Sequence, residues 1–132
     1  MSIPLNAAGI AETVVNEKNT ALFMKSGSLK VFATPALVAL AEEAACRAVQ
    51  PFLEAGQTTV GTRVELDHTA PSPIGQKVTA EACLVRTDRR KLVFSVSVRD
   101  EKQPIAEILH ERFIVDKERF LQKAYGEQEP EV

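Results

Sequence analysis

The 132-residue sequence lacks the features that would place it in a membrane, secreted or nucleic-acid-binding class. No apolar run approaches the ~18 residues of a membrane-spanning helix. Sixteen basic residues stand against eighteen acidic ones, for a net charge of −2. A nucleic-acid-binding domain is typically basic, so no nucleic acid is expected as a partner. The first ten residues lack the basic segment and long apolar stretch of a signal peptide, so we expect a cytoplasmic protein without a membrane partner.

Cysteine is also scarce. Cys46 and Cys83 are far apart in the sequence, and neither belongs to a CxxC pair. Because cysteines at short spacing are the common sequence sign of a metal site, no metal is expected. Each cysteine lies in an apolar segment, which is typical of a buried, reduced thiol.

The sequence does contain one long apolar helix followed by alternating strands. Thr34 is a good N-cap and Pro35 suits the first helical position, and residues 36–49 contain no Gly or Pro. After Gly56 the apolar residues recur at every second position, which predicts strands. The expected strands are residues 9–15, 60–68, 78–84, 92–98 and 105–115, before an amphipathic helix at 117–125 with Phe120 and Leu121 facing inward. Strict alternation would place Val60, Thr62, Val64, Leu66 and His68 on one face and Gly61 on the other.

Short turns between the last four strands predict an antiparallel meander. A curved sheet wrapped around one hydrophobic helix buries both elements at once, so we predict an α+β chain with the hotdog fold. We expect one hotdog domain over residues 1–132, with flexible tails at 1–8 and 126–132. A single sheet leaves an edge strand open, which favours a homodimer or a dimer of dimers.

Three side chains are candidates for chemistry. Glu42 shares a helical stripe with apolar residues, where a carboxylate is costly unless it has a partner or a function. The alternative is that it marks a solvent-exposed face of the helix. His68 ends the apolar face of its strand at the mouth of a turn, where a structural, hydrogen-bonded histidine is also common. Thr34 is an ordinary N-cap or a hydroxyl in the positive field of a helix start. Eight helical residues span ~12 Å, so Thr34 and Glu42 cannot touch unless the chain folds back or His68 bridges them.

Three segments carry a resemblance to a known family. The stretches VFATPALVALAEEAACRAVQPFLEAG, GTRVELDHTAPSPIGQKVTAEACL and HERFIV resemble the fluoroacetyl-CoA thioesterase branch of the hotdog thioesterases. The resemblance runs from about residue 31 to 115. It implies that Thr34, Glu42 and His68 are catalytic, that Gly61 and Arg112 lie at the substrate, and that the enzyme is a homodimer without metal or bound cofactor.

The sequence departs from the family pattern in two features. The stretch MKSGSLK lacks the aromatic residues of the family's lid, and Pro35 replaces a glycine after the threonine. We therefore predict hydrolysis of a short- or medium-chain acyl-CoA other than fluoroacetyl-CoA. Two alternatives stay open, a hotdog hydratase or dehydratase and a non-catalytic acyl-CoA or small-ligand binding protein. The first is disfavoured because no histidine precedes His68, whereas those enzymes place one near the helix entry.

Overall fold

The computed structural model describes residues 3–126. Residues 1–2 of the predicted tail at 1–8 and residues 127–132 of the predicted tail at 126–132 therefore lie outside the described residues. The strands are β1 (Ala8–Val14), β2 (Gln57–His68), β3 (Lys77–Asp88), β4 (Lys91–Arg99) and β5 (Pro104–Asp116). The helices are α1 (Ala21–Met24), α2 (Thr34–Val49) and α3 (Lys117–Tyr125), and single 3₁₀ turns occupy Glu17–Asn19 and Gln50–Phe52. Within residues 3–126 no helix is both long and apolar enough to span a bilayer.

The five strands form one antiparallel sheet that curls around α2. The buried face of α2 consists largely of small residues, Ala41, Ala44, Ala45 and Ala48. Small side chains let a strand approach the helix closely, and a Cβ at Gly9 in β1 would clash with the backbone of α2. This sheet wrapped around a central helix is the predicted hotdog arrangement.

The predicted meander is correct for β3, β4 and β5 but wrong for β2. The strand order is β1-β3-β4-β5-β2, so β2 pairs with β5 and not with its sequence neighbour β3. Residues 69–76 carry the chain across the curled sheet between these two strands. This connection contains Pro71 and Pro73, which suit an extended crossing better than a two-residue hairpin. As a result β2 becomes an edge strand.

A β-bulge in β2 corrects the predicted alternation of its side chains. The pairing with β5 shifts between Gly61 and Arg63, so Thr62 is the extra residue. Gly61 then pairs with Arg112 and Val64 with His110. The bulge places Gly61 and His68 on the same helix-facing side, whereas strict alternation had separated them.

Three smaller predictions were also wrong. The N-cap of α2 is Ala33 and Thr34 is its first helical residue, so the hydroxyl of Thr34 does not cap the helix. Residues 16–29, predicted as a loop, contain α1, which ends at Met24 and is followed by Lys25 in the left-handed conformation. Phe120 in α3 is 40% exposed and does not face inward.

Candidate active site

The first part of the site is a hydrogen-bonded pair at the start of α2. Thr34 Oγ1 lies 2.8 Å from Nδ1 of His68, the last residue of β2. The hydroxyl is available for this bond because Ala33, not Thr34, is the cap residue. The turn after β2 therefore holds the imidazole against the first residue of the helix.

This pair lines a cavity of about 320 Å³. The cavity is bordered by the start of α1, by the chain that follows α1 and by the chain that follows His68, including Ala21, Ser26, Ala70 and Pro71. The side chains of Ala21, Ser26 and Ala70 are small, so the space beside the threonine hydroxyl remains open. A substrate atom can thus approach a hydroxyl that is already bonded to a base.

His68 is held as a neutral imidazole. Burial lowers the pKa of His68 below its usual 6.5, and a backbone hydrogen bond with Ala70 opposes this shift only in part. Nε2 is buried and has no hydrogen bond of ordinary geometry among residues 3–126. A neutral ring can accept a proton from the hydroxyl, as general-base catalysis requires.

The second part of the site surrounds Glu42 in the middle of α2. Glu42 Oε2 accepts a hydrogen bond of 2.9 Å from Nη1 of Arg112 in β5. Arg112 is buried and also donates to the hydroxyl and the carbonyl of Thr59, at 2.9 and 3.0 Å. The two bonds to Thr59 fix the plane of the guanidinium, so Arg112 holds the carboxylate in a set orientation.

His110 supports this arrangement from beneath. It is fully buried in β5, and its Nδ1 lies 2.7 Å from the carbonyl oxygen of Arg63, to which it donates. Nε2 then carries the lone pair and accepts from Arg112 Nη1 at 3.1 Å. Burial is the main cause of a lowered pKa for His110, and the charge of Arg112 lowers it further. The ring is therefore a neutral acceptor.

Gly61 faces the Glu42 carboxylate directly. A Cβ at this position would clash with Glu42 Oε2 and would lie 3.1 Å from Arg112 Nη1 and 3.3 Å from His110 Cε1. The absent side chain leaves room for the carboxylate beside the strand. Gly61 itself is exposed at the open edge of the sheet, so the carboxylate lies close to that edge.

The structure thus brings the five predicted site residues together in two groups. Thr34 and His68 form one group, and Glu42, Gly61 and Arg112 form the other. Gly61 and His68 lie seven positions apart along β2, which corresponds to about 23 Å. Within one chain His68 contacts Thr34 and does not bridge to Glu42.

Two residues of the second group were not recognised from the sequence. His110 lies in a strand whose facing was not predicted, and Thr59 lies just before the predicted start of β2. The HERFIV alternation carries a signal for His110, because residues 110 and 112 of one strand must share a face. Nothing in the local sequence identifies Thr59.

Comparisons with known proteins identify the family to which the sequence is similar. The family model described as fluoroacetyl-CoA-specific thioesterase matches residues 15–118. The fluoroacetyl-CoA thioesterase of Streptantibioticus cattleyicolor is 40% identical over 91 residues, which are 69% of this chain and 66% of that protein. The aligned part therefore spans slightly less than two thirds of that relative.

Two crystal structures show the same fold. One is a mutant of a fluoroacetyl-CoA-specific thioesterase in complex with fluoroacetate and CoA, with a TM-score of 0.83 at 32% identity over 89% of this chain and 98% of that chain. The other is a hot-dog-like protein from Thermanaerovibrio acidaminovorans, with a TM-score of 0.86 at 22% identity over 98% and 96% of the two chains. The second likeness concerns the fold alone, and it confirms the predicted fold class.

Proposed function

The chain belongs to the fluoroacetyl-CoA-specific thioesterase family, and from this premise we propose that it hydrolyses the thioester of an acyl-CoA to the free acid and CoA. The thioesterase class predicted from the sequence agrees with this membership. The observation that carries the proposal is the 2.8 Å hydrogen bond between Thr34 Oγ1 and His68 Nδ1 beside an open cavity. A hydroxyl bonded to a neutral imidazole is a common arrangement for attack on a carbonyl carbon.

In the proposed mechanism His68 is the general base. Its neutral Nδ1 accepts a proton from the Thr34 hydroxyl, or from a water in the same position, as the new bond to the thioester carbon forms. The carbonyl oxygen then carries a negative charge. The first N–H groups of α2 have no acceptor within the helix, so they are available to this oxygen. Pro35 has no N–H group, so the N–H of Ala36 is the next donor after that of Thr34. The C–S bond breaks next, and the protonated imidazole returns its proton to the leaving thiolate. If water attacked, the product is already the free acid. If Thr34 attacked, the acyl group is now an ester on its Oγ1, and His68 deprotonates a water that hydrolyses this ester, releases the acid and returns the proton to the threonine oxygen.

A homodimer would unite the two groups of the site. The edge strand β2 is exposed from Gly61 to Glu65, and Val64 is 39% exposed. Antiparallel pairing of β2 with its copy, about an axis midway between Gly61 and His68, sets Gly61 opposite His68 of the partner subunit. Opposed Cα atoms lie about 5 Å apart in such a ladder. Glu42, which touches Gly61, would then lie beside the partner subunit's Thr34 and His68.

In this assembly Glu42 acts on the reaction of the partner subunit. Its carboxylate is held by Arg112 and can orient the attacking water or stabilise the positive charge that develops on the imidazole. Arg112 is 7% exposed and uses its donors on Glu42 and Thr59, so we assign it to holding the carboxylate in place. Gly61 keeps the space in which the thioester carbon meets the carboxylate.

We further propose a short- or medium-chain acyl group. The cavity beside Thr34 measures about 320 Å³, which lies at the lower end of the roughly 300–1,000 Å³ of small-molecule pockets, so an acyl group longer than acetyl has room there. The small side chains of Ala21 and Ser26 widen the same space. We also propose a cytoplasmic location, with which the free thiols of both cysteines agree.

The test is a panel of acyl-CoA esters, from acetyl to long chain and including fluoroacetyl, with release of free thiol as the readout. Turnover that disappears in His68→Ala and falls sharply in Glu42→Gln supports the proposal. Wild-type rates in both variants would refute the assigned roles. Tight binding of acyl-CoA without thiol release would instead indicate a binding protein.

A mixing experiment tests the shared site. His68→Ala and Glu42→Gln protomers are mixed, unfolded together and refolded, so that half of the dimers are mixed. A mixed dimer contains one site with both His68 and Glu42 intact if the site is shared between subunits. About a quarter of the wild-type activity should then return. A site within one chain would always retain one defect, and the mixture would stay as inactive as its components.

A further inference from the structure

A second cleft lies at the opposite end of β5 from the connection to β4. It measures about 420 Å³ and is formed by the end of β5, one side of α3 and the β3–β4 hairpin. Its lining includes Arg90, Phe113, Arg119, Phe120 and Lys123. None of these residues takes part in the catalytic arrangement described above.

The cleft is positively charged in a protein of net charge −2. Arg90, Arg119 and Lys123 contribute three positive charges, and Asp116 contributes one negative charge at 3.9 Å from Arg90. Among residues 3–126, Arg119 and Lys123 have no acidic partner within salt-bridge distance, and both are exposed. Arginine and lysine in such a position are suited to phosphate groups.

The cleft also presents two aromatic rings to solvent. Phe113 is 41% exposed and Phe120 is 40% exposed. Aromatic side chains next to cationic ones favour a ligand that has both a flat ring system and negative charge. The ring system of such a ligand stacks on the aromatic side chains, and its negative groups bind the cations. A nucleotide combines these groups.

We propose that this cleft binds the 3′-phosphoadenosine diphosphate part of the acyl-CoA substrate whose thioester reacts in the neighbouring catalytic site. The proposal rests on the proposed thioesterase function and on its shared dimeric site. The phosphates bind Arg119 and Lys123, and the adenine packs on Phe113 or Phe120.

The distances permit this arrangement only across the dimer. Gln57 pairs with Asp116 at the cleft. Within one chain His68 lies eleven positions from Gln57 along β2, a span of about 36 Å. The pantetheine arm of CoA has the length of about five extended residues, roughly 17 Å. In the proposed dimer the reacting carbon lies near Gly61, only four residues or about 13 Å from Gln57.

The arm must also turn around the end of the sheet. Arg112 and Phe113 are consecutive in β5 and so point to opposite faces, the first to the carboxylate and the second to the cleft. β2 begins at Gln57 and β5 ends at Asp116, so this pair of residues marks the end of the sheet around which the arm passes. The nucleotide would therefore remain at the surface while the thioester enters the site.

The experiment compares a full substrate with a truncated one. Arg119→Glu combined with Lys123→Glu should raise KM for the acyl-CoA by about tenfold or more, with kcat little changed. The same acyl group on N-acetylcysteamine lacks the nucleotide, and its KM should stay within about twofold of the wild-type value. Arg99→Glu, at the far end of β4, removes an exposed cation elsewhere and should leave both values unchanged.

A binding measurement keeps the proposal testable without turnover. Calorimetry with 3′-phosphoadenosine 5′-diphosphate should detect binding to the wild-type protein that is lost in the double variant and retained in Arg99→Glu. Equal binding in all three proteins, or an equal rise of KM for both substrates, would overturn the proposal. A change of assembly mass in light scattering without a KM difference would identify the cleft as a contact between copies and would also overturn it. Absence of all thioesterase activity with intact nucleotide binding would count against the proposed function and not against the cleft.

Discussion

Replacing Gly61 by alanine tests the core of the proposed site most directly. The new Cβ would overlap with Glu42 Oε2 and come within 3.1 Å of Arg112 Nη1 and 3.3 Å of His110 Cε1. Arg112 is fixed by two bonds to Thr59, and His110 is fully buried, so neither can move at low cost. The Glu42 side chain is 39% exposed, so it is the group that will rotate away.

The expected cost follows from the bond that Glu42 loses. Rotation breaks the 2.9 Å ion pair and leaves the buried guanidinium of Arg112 with one partner fewer. A charged hydrogen bond of this kind contributes about 2 kcal/mol, which corresponds to a fall in Tm of roughly 8 °C for a domain of this size. Because the carboxylate no longer lies beside the reacting carbon, kcat/KM should fall by about 100-fold.

A double-mutant cycle separates the two effects. Thermal unfolding and thiol release are measured for Gly61→Ala, Glu42→Ala and the double variant at one protein concentration. In the Glu42→Ala background the added methyl group meets no carboxylate, so Gly61→Ala should cost much less stability there while activity stays low. An equal loss of Tm in both backgrounds would show that the clash is not with Glu42 and would refute the reasoning.

Three further predictions concern His110, Asp100 and His68. Replacing His110 by phenylalanine removes one acceptor of Arg112 and the imidazole donor to the Arg63 carbonyl. We therefore expect a loss of about 1–3 kcal/mol in the free energy of unfolding and a lower kcat, measured by denaturant unfolding and initial rates. An unchanged kcat would contradict the positioning role of His110. Burial alone would raise the pKa of Asp100, but hydrogen bonds from Lys102, Ser72 and Gln103 outweigh it and lower the pKa. The stabilising effect of Asp100 should therefore be complete above about pH 4 and disappear as the pH falls through the lowered pKa. The difference in free energy of unfolding between wild type and Asp100→Asn should become smaller over that pH range, as measured by unfolding in acid. The lowered pKa of His68 predicts that the acid limb of the kcat/KM profile has its midpoint below 6.5, and a midpoint above that value would exclude His68 as the base.

The fold was largely predictable from residue patterns. The composition of α2 and the two-residue period after Gly56 identified one helix and most of the sheet, and α3 was predicted at its observed bounds. These patterns are local, because burial on one face selects side chains at fixed spacings along the chain. The order of the strands was not predictable in the same way, since hydrogen bonds between distant segments decide which edge β2 occupies.

The site shows the same division. Residue types and a family resemblance indicated Thr34, Glu42, His68, Gly61 and Arg112 as functional positions. Their grouping, and the contribution of His110 and Thr59, depend on the bulge at Thr62 and on the pairing of β2 with β5. A bulge adds one residue to a strand, so the side chains before the bulge point to the opposite face from the one that strict alternation predicts. No distinctive sequence signal marks it.

The sequence by itself determined the helix, the strands and the chemical groups available, because these follow from local spacing and side-chain chemistry. Only the tertiary structure decided that His68 bonds to Thr34 while Arg112 holds Glu42 at the open edge of the sheet. Residues far apart in the chain meet only where strand order and register bring them together, and that arrangement is fixed by the packing of the whole sheet around α2.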